Sequence, residues 1–380
     1  MKFFYIILCF LLYCLASSGC RSKDHSSNGE DSSLEFRSIK IDTLVLQAQS
    51  FSGNGYFSWV RGEVAFIDNT YGTVSLFNKK GESEERLLGL GEGPKETFSL
   101  ITGTSIADDR FLVLEKTGNL SLYTSEFLRI RRMPINWRES KSMVELESNP
   151  KGTDRGIYEP EYMFHQITPF GRGKVAMHIT TDHPLFNSYF TDEYYKNGKV
   201  LAIIDATTGR VDTIGVERPA SYLNWQWLPN FDYSYSASVP EGVAISFELD
   251  SSLFVYDFKL RMLRAYGRQG REMNINYLKT RTFEEAEAAW TVHREQAGYF
   301  SRIYFSSDKK LLLRSYTKGG NTSADGLQIY SHNDGILLAD FDVPKGFYVF
   351  GNKEDEFFGA SVLNDSDERL VCYRFVFQKF

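Results

Sequence analysis

Cysteine is nearly absent from this sequence. Four occur in 380 residues, and two of them, Cys9 and Cys14, fall within an apolar leader. Only Cys20 and Cys372 lie beyond it, so a disulfide framework is excluded and stability has to come from a large core. Histidine is also sparse, six in all, with no HExxH, HxH or Cys/His spacing, so no metal and no cofactor is expected. There is no G-x-S-x-G elbow, P-loop or aspartate-rich calcium loop, and the S-x-D-x-G-x-x-W turn of sialidase-type propellers is missing. These gaps weigh against catalysis by the familiar motifs. The formal charge of −6, which becomes −7 without Lys2, argues against nucleic acid or a bare anionic membrane as partner.

What is present starts with a leader. Lys2 precedes an apolar run over residues 3–16, too short to span a bilayer, and Ser17-Ser18-Gly19-Cys20 follows as a small-residue cleavage site. Residues 1–19 are read as a signal peptide. Glycine directly before cysteine resembles the bacterial lipobox, although Ser17 stands where that motif has an aliphatic residue. The resemblance implies lipidation at Cys20 and attachment to a membrane through that lipid alone. Residues 20–33 are polar, lack apolar periodicity and read as a flexible tether, which leaves residues 34–380 as a single domain.

That domain repeats one unit. Apolar segments alternate with Gly, Asn and Asp turns, as in GEVAFID (62–68), TVSLFN (73–78) and ERLLGLG (85–91), and the pattern returns five more times. A short apolar segment precedes each copy and makes four strands per unit. The sixth copy lacks its last strand, which IKIDTLVL (39–46) can supply. The expected fold is therefore all-β, a six-bladed β-propeller of four-stranded blades closed by the N-terminal strand. A β-sandwich, or several small β domains, is the competing reading.

Link lengths separate the two faces of such a ring. Links between the first and second strands and between the third and fourth are short, whereas long excursions follow second and fourth strands: 88–99, 134–161, 181–198, 217–232, 267–299 and 317–325. One of them carries a helix, opened by a Thr282–Glu285 capping box and placing Ala286, Ala289, Trp290 and His293 near one face. Aromatic residues crowd these excursions. Tyr158, His183, Tyr222, Trp225 and Trp227 are the candidate ligand contacts, since flat rings stack on sugars and anchor protein partners. His178 and His183 bracket a loop mouth with Asp182, although two loop histidines are more often solvated or hydrogen-bonded than metal-bound.

The stretch GLGEGPKETF (89–98) resembles the G-x-G-x-G-P-G-E-F signature of NHL-like and TolB-like six-bladed propeller lipoproteins of the Bacteroidetes, with Lys95 in place of a glycine and Thr97 added before Phe98. That resemblance implies the fold and an envelope location, in the outer membrane, more than a chemistry. The reading is a monomeric, non-catalytic binding or scaffold lipoprotein that recognises a glycan, peptide or partner protein through its loop-rich face. The alternative is a propeller enzyme of lactonase, lyase or glycosidase type, with its site at the channel mouth on the same face.

Overall fold

Valine, isoleucine, leucine and aromatic residues fill short runs between turn formers, and in the computed structural model each run is a strand. The structure describes residues 35–106, 110–161, 166–189, 191–224, 227–363 and 369–379. Strand β1 (Phe36–Leu46) leads. Blade 1 is β2 (Gly55–Val60), β3 (Glu63–Asp68), β4 (Thr73–Phe77) and β5 (Ser83–Leu88). Blade 2 is β6 (Thr102–Ile106), β7 (Arg110–Leu114), β8 (Asn119–Tyr123) and β9 (Arg129–Pro134). In blade 3 the inner position is shared by two segments, β10 (Glu159–Pro160) and β11 (Ile167–Pro169). Both pair with β12 (Lys174–Thr180), and β13 (Lys199–Asp205) and β14 (Val211–Glu217) follow. Residues 162–165 lie outside the described residues.

Blade 4 is β15 (Ser234–Val239), β16 (Gly242–Phe247), β17 (Ser252–Asp257) and β18 (Met262–Gly267). Blade 5 is β19 (Tyr299–Ser306), β20 (Leu311–Thr317), β21 (Asp325–Ser331) and β22 (Leu337–Val343). Blade 6 contains β23 (Tyr348–Lys353), β24 (Glu356–Ala360) and β25 (Leu370–Lys379), and its outer strand is β1, antiparallel to β25 from Phe36↔Lys379 to Leu46↔Leu370. Neighbouring inner strands touch in ring order, and β23 meets β2 to close the circle. The protein is thus a six-bladed propeller with its N-terminal strand closing the last blade.

Middle strands such as β4 are buried along their whole length because each blade packs face to face on its neighbours, whereas the outer strand β5 is exposed over its first four residues and buries only Leu87. The tight outer turns share one device. Asn78, Thr124, Asp205 and Asp257 each end a third strand and accept backbone N–H bonds from residues two to four positions on. A left-handed residue then completes each turn: Gly81, Phe127, Gly209 and Leu260.

One helix was expected, and the described residues hold three α-helices: α1 (Met143–Ser148), α2 (Asp192–Asn197) and α3 (Phe283–Gln296). The capping box belongs to α1, where Ser142 and Glu145 bond reciprocally. At α3 only half of that box forms. Thr282 accepts from the Glu285 N–H, but the Glu285 carboxylate turns to the N–H of Arg281 instead.

Candidate functional site

All long links follow second or fourth strands, so they gather at one end of the ring, while short turns occupy the other. Two buried ion pairs fix the long links over blades 3 and 4. Arg218 pairs with Asp232, donates to the Tyr194 hydroxyl of α2 and lies 4.0 Å over that ring. Arg294 of α3 grips Glu248 with Nη1 and Nη2, at 2.6 and 3.0 Å, and stacks 3.6 Å over Tyr299. Burial pushes the Glu248 carboxyl up, and the Arg294 fork opposes that shift. The excursions are therefore a fixed platform with a small core of its own.

That core absorbs two of the five residues picked from the sequence. Tyr158 is buried, its hydroxyl donating to Gly152 O and accepting from Lys199 N. Tyr222 is also buried and donates to Phe231 O. Burial keeps both rings away from anything arriving from solvent. His183 is half-buried in a turn that uses its Nδ1 to accept from Leu185 N. Trp225 lies outside the described residues.

Trp227 is half-exposed, with φ of 68° and a ring 6.4 Å from Tyr195. Arg281 sits 6.0 Å over the Trp227 ring, and two residues on, exposed Phe283 meets Tyr189 at 5.5 Å. Three separate excursions thus contribute to one surface strip, Trp227–Arg281–Phe283–Tyr189. Sequence reading picked out Trp227 alone, because the strip is assembled only when 181–198, 218–233 and 268–298 dock together.

His178 is not near a metal set. It lies within β12 inside the core, with Nδ1 2.8 Å from Ser234 Oγ and Nε2 2.9 Å from Ser236 Oγ, so both ring nitrogens are engaged across blades 3 and 4. Burial pushes its pKa from 6.5 down to about 4. Below pH 6.5 the unfolded chain takes up a proton that the folded one refuses, so stability falls as pH drops through the window from 6.5 to 4. This group alone is expected to remove about 2–3 kcal/mol between pH 7 and pH 4.5. Urea unfolding of the wild type and His178→Gln at both pH values checks this. An equal acid loss in the two proteins would rule it out.

The GLGEGPKETF stretch folds as a loop strapped to blade 2. Thr97 N donates to Gly89 O, Gly91 N to Thr97 O, and Gly93 N to the Glu96 carboxylate at 2.7 Å. Of its three glycines only Gly91 has positive φ, and a Cβ there would overlap the Glu96 carboxylate. Gly91 and Gly93 leave room for the Glu96 carboxylate, whereas a Cβ at Gly89 would meet open space.

Along the axis, the six inner strands enclose a channel cavity of about 310 Å³. Each has a sheet neighbour on only one side, so its inner edge is unpaired. Two larger clefts, of about 520 and 610 Å³, open on the short-turn face where blades 1 and 2, and 5 and 6, splay apart. No group of three or more His, Cys, Asp or Glu suited to a metal ion occurs among the described residues.

Comparison with known proteins gives the family. A DUF4221 member from Bacteroides vulgatus has a crystal structure that superposes with a TM-score of 0.65 at 13% identity, covering 92% of this chain and 99% of that one. A catalytically inactive virginiamycin B lyase from Staphylococcus aureus, solved with quinupristin, gives a TM-score of 0.45 at 12% identity over 89% of this chain and 99% of that one. No curated protein matches. The family model described as a domain of unknown function, DUF4221, matches residues 138–339, which span the looped half of the ring, and the chain belongs to that family.

Proposed function

We propose that the protein is a lipid-anchored envelope propeller, NHL-like or TolB-like in kind, that binds a glycan, peptide or partner protein through its loop-rich face without catalysing a reaction. The observation that carries this reading is the aromatic strip Trp227–Arg281–Phe283–Tyr189, built from three excursions and held on a platform of buried ion pairs. Exposed apolar neighbours, Leu185 and Leu223, sit on the same excursions. Glycan recognition and protein docking both use such rings.

Where the leading segment joins the ring supports an anchored arrangement. β1 is an outer strand, so it starts at the short-turn end, and Glu35 N donates to Leu338 O beside the turn that opens β22. A lipid on Cys20 and a tether over 20–33 would draw that end towards an outer membrane and leave the loop-rich face pointing away. The chain acts as a monomer in this reading, with no cofactor.

Binding of residues 34–380 to glycan and envelope-peptide arrays tests the proposal. The double variant Trp227→Ala/Phe283→Ala is expected to weaken any hit by about tenfold or more, while Arg61→Ala on the short-turn face leaves it unchanged. Hits that survive the double variant and fail with Arg61→Ala would place recognition on the wrong end of the ring.

A further inference from the structure

The axial channel holds one charge that the fold does not use. Among the described residues lining it, Arg302 is the single charged side chain, and neither a hydrogen bond nor an ion pair engages it within the described protein. It lies instead against rings, 4.6 Å over Tyr348 and 5.9 Å over Tyr56. A bulge places it there. Phe300 pairs with Tyr316 and Ile303 with Arg314, so Ser301 and Arg302 together face the single residue Ser315. An extra residue in a strand re-aims its side chains, here towards the axis.

The surroundings are matched to an anion. Tyr348 Oη already accepts from Phe57 N, and Tyr56 Oη accepts from Gly103 N at 2.7 Å, so the rings beneath the guanidinium are held in place. Further towards the short turns, the hydroxyls of Ser58, Ser105 and Ser238 line the same channel and have no partner among the described residues. No carboxylate lines the described wall to neutralise Arg302. A guanidinium that is left unpaired in a pre-organised cavity is a carboxylate or phosphate receptor, because its planar fork fits two oxygens.

We propose that this channel is a binding site for a small hydroxylated carboxylate of the sugar-acid class, with the carboxylate on Arg302 and hydroxyl groups along Ser58, Ser105 and Ser238. One cation balances one carboxylate charge, whereas a phosphate dianion would remain under-compensated. The cavity of about 310 Å³ accepts a monosaccharide-sized molecule. This site is separate from the loop-face strip and stands without it.

Titration calorimetry of the propeller with D-glucuronate and D-galacturonate, with glucose and galactose as neutral counterparts and inorganic phosphate as a third arm, decides it. At least one uronate is expected to bind more tightly than its neutral sugar and than phosphate. Arg302→Gln is expected to weaken that binding by at least about tenfold, since hydrogen bonds to a charged partner are lost. Arg302→Lys, which keeps the charge without the fork, should lose less, and it replaces the glutamine variant if that one melts early by circular dichroism. Lys259→Ala, exposed in the turn between β17 and β18, should leave the titration unchanged. The proposal is overturned by no heat with either uronate, by affinity equal to that of the neutral sugars, by tighter phosphate binding, or by binding indifferent to both Arg302 variants.

Discussion

Removing residues 36–46 is expected to abolish cooperative unfolding and to yield aggregated protein, whereas a chain starting at residue 34 should melt in one sharp transition. The shortened chain loses the outer strand of blade 6, and β25 would present a bare edge along its length. Such an edge is a template for pairing with another copy. It also uncovers apolar surface, because Phe36 and Leu46 are buried and Ile39 and Ile41 pack on the cluster that includes Phe357 and Phe375. Size-exclusion chromatography and calorimetric melting of the two chains make the comparison. A monomeric, sharply melting protein without β1 would show that blade 6 is stable with three strands.

The second large effect is expected at the ion pair beneath the rim helix. Glu248 is fully buried, and among the described residues it accepts, besides Arg294, from the Tyr235 hydroxyl at 3.1 Å alone. Arg294→Met would strand that carboxylate in the core, at a cost of about 3–5 kcal/mol. Replacing both partners, Glu248→Met with Arg294→Met, removes charge and counter-charge together and should return most of the loss. Urea unfolding of wild type, single and double variants forms the cycle. A single variant within about 1 kcal/mol of wild type would mean that the carboxylate finds another partner or takes up a proton at little cost.

Much of the ring was legible in the chain because its physics is local. Short apolar runs such as those of β3 and β7 recur at blade spacing, and Asn78, Asp205 and Asp257 signal turns that need no tertiary help. The missing fourth strand of the last unit pointed correctly to β1. The segregation of long links also followed from counting residues, since strand order alone decides which end of the ring a link occupies.

The candidate site was far less legible. Aromatic residues in long links suggested an exposed binding surface, but links of this length build their own core, and Tyr158, Tyr194 and Tyr222 went into it. The short helix α1 had its signal in Ser142–Glu145, while α2 carries none as clear, because Thr191 makes no side-chain cap. Arg302 was beyond reach: nothing in FSRIYFS shows that a bulge will turn that side chain to the axis. Arg314 is the same lesson reversed. It occupies an ordinary-looking place in KLLLRSY, yet it is fully buried, held by Gln328, Tyr330 and two backbone carbonyls.

The pairing of β1 with β25 also orders events in time. β1 comes before every other strand of the domain and β25 after them, so a chain emerging from its N-terminus carries β1 unpartnered until all the intervening blades have appeared. Joining the two is the contact of longest sequence separation in the protein and bears the greatest loop-closure entropy. Latching blade 6 is therefore expected to be the last step of folding. How quickly it happens sets how long the unlatched chain stays open to chaperones and proteases.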